Sequence, residues 1–151
     1  MEILSQLHPV TVHFPIAILA VYILLEIFGL FKRNSVIEYG SLFLLVLGLI
    51  GGIASVITGN LEFQELQANP SITQYHIYHI ERHSDMATLA MWYFIGILVI
   101  KLFILIKKKS GSFIHYGFII LVILGGYILY KTGELGGLLI YNYGIGTENI
   151  F

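Results

Sequence analysis

Four long apolar runs alternate with polar breaks along the chain, and each has the roughly twenty residues that a helix needs to cross hydrocarbon. They predict membrane spans at about 13–31, 39–58, 84–106 and 113–131. Pro15 falls in the first turn of span one, where a missing amide hydrogen costs least. Thr58-Gly59 closes span two, with the glycine placed to cap a helix. The stretch 60–82 is the longest polar segment and predicts an outer loop suited to docking, with Ser71 or Thr73 capping a helix that starts near 74 and runs into span three. Residues 1–12 read as an amphipathic lead-in broken at Pro9. The tail 132–151 has too many glycines for a stable helix and too few charges for a free linker, so it is expected to fold back over the mouth of the bundle.

The runs repeat. His13-Phe14-Pro15-Ile16-Ala17 opens the first and His83-Ser84-Asp85-Met86-Ala87 the third, both H-x3-A-x2-A, at an offset of seventy residues. Gly51-Gly52 with Thr58-Gly59-Asn60-Leu61 matches Gly125-Gly126 with Thr132-Gly133-Glu134-Leu135 without a gap. The pattern predicts an all-α membrane protein, a four-helix bundle built from two parallel-repeat helical hairpins in a single domain. Each copy carries one histidine at the same place.

Composition agrees with a bilayer. Hydrophobic residues make up 57% and charged residues 11%, against roughly 25% charged in globular domains, and the mean hydropathy is +0.85. A net charge of −1 and the lack of a basic, aromatic-laced stretch argue against nucleic acid as a partner. With no cysteine, disulfides, thiolate metal sites and covalent haem attachment are excluded. The first residues lack the basic start of a cleaved signal, so span one is expected to be retained. Lys32, Arg33 and the three lysines 107–109 lie in the two short turns, whereas 60–82 carries one arginine and three glutamates. The positive-inside rule then puts both termini and the long loop on the outer side of an inner membrane.

Histidine at the edge of a span needs a partner or a metal. A pseudo-twofold axis carries His13 and His83 to one central point, where a single haem b would take both as axial ligands. Gly51, Gly52, Gly125 and Gly126 would leave room for the porphyrin on the two other helices, although such pairs also permit plain helix packing. His8, His76, His79 and Lys131 are further candidates for the site. His76, His79 and His83 share one helix face and, with Glu62 and Glu65, form a rival zinc, copper or non-haem iron grip. Lys131 with Glu134 flanks Thr132-Gly133, where a cation would meet a haem propionate. Only His115 lies at the inner end, so a second haem is not expected. Glu26 and Lys101, the charged residues deep in runs one and three, read as an ion pair or as snorkelling side chains, with a proton path as the sharper alternative.

The motif His8-Pro9-x3-His13-Phe14-Pro15-Ile16-Ala17, the Thr58-Gly59 step, His83 at the head of span three and the closing Thr132-Gly133-x2-Gly136-Gly137-x3-Tyr141-x2-Gly144-Ile145-Gly146 together resemble the domain-of-unknown-function 2231 family of small four-helix membrane proteins. The resemblance covers essentially the whole chain. Members stand alone or are fused to Rieske or c-type cytochrome modules, which implies a membrane redox or haem-binding role without fixing a reaction. It matches His13 and His83 to the family's histidines and leaves His76, His79 and His115 unmatched.

These features converge on an electron-transfer subunit with one bis-histidine haem near the outer face, working with other membrane redox subunits, an outer c-type cytochrome or a quinone. Independent catalysis is not expected, since no nucleophile–base pair, phosphate loop or paired acid–base carboxylates stand out. A cofactor-free anchor or assembly subunit and a small metal or solute transporter are the rival readings.

Overall fold

The computed structural model describes residues 8–32, 34–107 and 111–145. Arg33, Lys108 and Lys109, on which the orientation reading partly rests, lie outside these residues, as do most of the lead-in and Gly146 of the closing motif. The described chain is helical throughout: a four-residue α1 (His8–Thr11), then α2 (His13–Gly29), α3 (Ser35–Gln67), α4 (Gln74–Ile106) and α5 (Ser112–Tyr143). α1 and α2 together, α3, α4 and α5 are each long and apolar enough to cross a membrane.

Local chemistry sets the ends. The Asn34 side chain accepts from the Ile37 amide at 2.9 Å and so caps α3, whose first turn holds Glu38 against the positive helix end. At the head of α4 the Thr73 amide donates to Nδ1 of His76 at 3.2 Å, the role a glutamate or glutamine usually fills in a capping box. Gly144, at φ +65°, ends α5, with the Ile145 amide reaching back to the Leu139 carbonyl at 2.9 Å in a Schellman arrangement.

The helices pack as a ring in which α2 touches α3 and α5, and α4 touches α3 and α5. Leu19, Tyr22, Leu45, Leu49, Phe94, Ile97, Phe118 and Val122 fill its centre. No more than 33% of any span's most apolar window is buried in the bundle, so the exposed apolar remainder is left for lipid.

Two expectations change here. Span two does not stop at Thr58-Gly59: α3 continues to Gln67, so that only a short turn separates it from α4, which begins at Gln74 after Thr73 as the capping residues predict. Phe63 and Leu66 pack there on Ile80, Leu139 and Ile145, which holds the projecting turns together. The glycine-rich tail is likewise helical as far as Tyr143 instead of folding back. At 1.5 Å per residue, helices of 32 and 33 residues run about 50 Å, well beyond a hydrocarbon core of about 30 Å.

Candidate functional site

A cavity of about 330 Å3 occupies the end of the bundle where α2 begins, α3 ends, α4 begins and α5 ends. Its walls are mostly apolar, with Val12, Ile16, Phe63, Met91 and Phe94 among them, and its polar groups include His8, His13, Glu62, His83, Thr132 and Asn60.

Two of these histidines are fixed in matching ways. His8 Nδ1 lies 3.1 Å from the Thr58 hydroxyl on α3, and Gly59 is its seat: a Cβ there would come within 2.8 Å of the ring's Cε1. His83 Nδ1 lies 3.2 Å from the Thr132 carbonyl on α5, and a Cβ on Gly136 would come within 3.0 Å of its Cε1. A carbonyl can only accept, so His83 carries its proton on Nδ1. Thr58 is also within 3.1 Å of the Ala54 and Ser55 carbonyls, to which its own hydroxyl proton goes. His8 therefore donates to it from Nδ1. Both imidazoles are left with a lone pair on Nε2, the form that ligates a metal while Nδ1–H is held by the protein. The two rings line one cavity.

The lead-in matters because it carries His8. Thr11 donates to the His8 carbonyl at 3.0 Å and lies 3.0 Å from the Thr58 hydroxyl, tying α1 to α3 at the same threonine that holds the ring.

The other predicted residues fall as follows. His13 lines the cavity but is exposed, with Nδ1 turned to the Pro9 carbonyl. Gly52 lines the cavity and packs on Met91. Gly51 meets Pro15, Gly125 meets Tyr93 and Phe94, and Gly126 meets Ile23, so these three serve close helix contact and are not among the lining residues. His76 caps α4, and His79 stacks on Tyr143 with ring centroids 4.5 Å apart. Lys131 pairs with Glu134 at 2.5 Å, away from the cavity lining. The rival metal grip does not assemble: among the described residues, no three histidine or carboxylate side chains gather in a way that could hold an ion.

In the sequence His8 is one of four further candidates, with His76, His79 and Lys131, and the spacing of the repeat carries a signal for it. The Thr-Gly steps recur at an offset of 74 residues, and His8 and His83 are 75 apart, whereas His13 and His83 are 70 apart.

The four apolar helices and the partly buried cavity at one end define an integral membrane protein with a small-molecule-sized internal site. A family model described as predicted membrane protein (DUF2231) matches residues 5–149, and the chain belongs to that family. Comparison with curated proteins and with solved structures gives no match.

Proposed function

We propose that the chain is a b-type haem-carrying electron-transfer subunit, in which His8 and His83 would hold the haem iron through Nε2. The observation that carries this reading is the pair of imidazoles on one cavity, each held through Nδ1 by the Thr-Gly region of a neighbouring helix. A bare zinc or copper ion would need further side-chain donors. A haem iron, which draws its other donors from the porphyrin, would need no more from the protein than these two. A cavity of about 330 Å3 lies within the roughly 300–1,000 Å3 of small-molecule and cofactor sites.

Haem, when bound, supplies one-electron chemistry. The residues of this chain fix both ligand rings, keep each as the Nδ1–H tautomer and surround the site with apolar side chains that limit water. With both termini on the outer side of an inner membrane, this end of the bundle faces an outer c-type cytochrome or another redox subunit. The test is the absorbance of protein purified with haem supplied during expression. One haem per chain with a Soret band is expected, and protein that folds without such a band overturns the reading in favour of a cofactor-free anchor.

A further inference from the structure

A second cavity, of about 200 Å3, lies at the opposite end of the bundle, beside the α2–α3 and α4–α5 turns. All four long helices contribute polar side chains to it: Glu26 from α2, Glu38 and Ser41 from α3, Lys101 from α4 and His115 from α5. Ile37, Ile104, Phe118 and Ile119 supply apolar wall. Leu30 and Tyr116, 40% and 62% exposed, carry it to the outside of the bundle.

The hydrogen bonds there decide what ligand it suits. Lys101 is only 5% exposed and already committed, donating to the Glu26 carboxylate and, at 2.9 Å, to the Ser41 hydroxyl. Its ammonium also lies 5.7 Å from the centroid of the Phe118 ring and 6.0 Å from that of Tyr22. His115 donates from Nδ1 to the Gly111 carbonyl at 2.9 Å, so its Nε2 is a lone-pair acceptor. That Nε2 is buried and, among the described residues, has no partner, an unfavourable state unless something donates to it. Two of the three Lys101 N–H donors are engaged and its ammonium sits beside two aromatic rings, while the Tyr116 hydroxyl stands at the exposed mouth; the buried groups that face a ligand with lone pairs are His115 Nε2 and the Glu26 carboxylate, set among apolar walls. The fitting ligand is a flat apolar ring that brings its own hydroxyl donors.

We propose that this cavity binds the ring of a lipid-soluble hydroquinone, whose hydroxyl groups donate to His115 and Glu26. Size agrees, because an engineered apolar cavity of about 150 Å3 is enough to hold benzene. The oxidised quinone presents carbonyl oxygens, acceptors facing acceptors, and is disfavoured. Lys101 follows His83 by eighteen residues on α4, about 27 Å along the helix, so this site stands or falls independently of the histidine cavity.

Calorimetric titration of the full-length chain in detergent tests it, with a short-chain 1,4-benzoquinol, the matching benzoquinone and the quinol dimethyl ether as probes. The quinol should bind about tenfold or more tighter than either of the others, and His115→Phe should erase that preference. Ile37→Phe, which fills the cavity without altering His115, should abolish binding. Equal binding of the three probes, no binding at all, or a preference that survives both substitutions leaves the cavity holding water only and overturns the proposal.

Discussion

His83 Nδ1 donates to the carbonyl oxygen of Thr132 at 3.2 Å, joining α4 to α5 across 49 positions of the chain. His8 and Thr58 make a related tie across 50 positions, joining α1 to α3 through the threonine hydroxyl instead of its carbonyl. The two halves are alike here in kind and not in register, since the ring seats are Gly59 and Gly136 while Gly133, which the repeat pairs with Gly59, is open. Each half supplies one ring and the Thr-Gly region that positions it.

Glycine at the ring seats follows from this. Gly136→Ala would put a methyl group 3.0 Å from His83 Cε1, whereas Gly133 has open space around it. Overpacking costs about 1–3 kcal/mol, and an open helical glycine gains up to about 1 kcal/mol on becoming alanine. Thermal unfolding in one detergent should rank Gly133→Ala at or above wild type and Gly136→Ala below it. The reverse order would remove the seat from the account.

The Glu26–Lys101 pair gives a second expectation. Its side chains are 12% and 6% exposed, so removing one partner strands a charge in a low-dielectric setting, at a cost of about 3–5 kcal/mol. Glu26→Gln or Lys101→Met alone should lower the unfolding temperature sharply, while the double substitution should recover most of the loss. Additive losses would show that the pair contributes no coupling.

Gly52 is a packing test. A Cβ there would fall 2.5 Å from the Met91 sulfur, and methionine is the most adaptable of core side chains. Gly52→Ala should destabilise by about 1–2 kcal/mol, and Gly52→Ala with Met91→Ala should relieve the overlap. A thermal shift no different in the presence of Met91 than in its absence would mean that the contact is not close.

The spans were legible in the sequence because an apolar stretch of the right length has few alternatives in a bilayer. Their ends were less so. The helix start near 74 was legible from its capping residues, but residues 60–67 are polar enough to read as loop, whereas the helix leaves the hydrocarbon and continues where packing holds it, here through Phe63, Leu66 and Ile80. The tail misled for the opposite reason. Its glycines lower helix propensity, but Gly136 admits the His83 ring and α5 runs on until Gly144 stops it. Among the histidines, the shared H-x3-A pattern points to His13, whereas the place of His8 on the same cavity comes from the packing of α1 on α3, which no local pattern encodes.

The most direct measurement is the reduced-minus-oxidised difference spectrum of haem-supplied protein, wild type beside His8→Ala, His83→Ala and His13→Ala. The two rings fixed by Thr58 and Thr132 should each be needed, so His8→Ala and His83→Ala lose the low-spin signal and His13→Ala retains it. A low-spin signal that survives His8→Ala and disappears in His13→Ala would contradict the pairing proposed here.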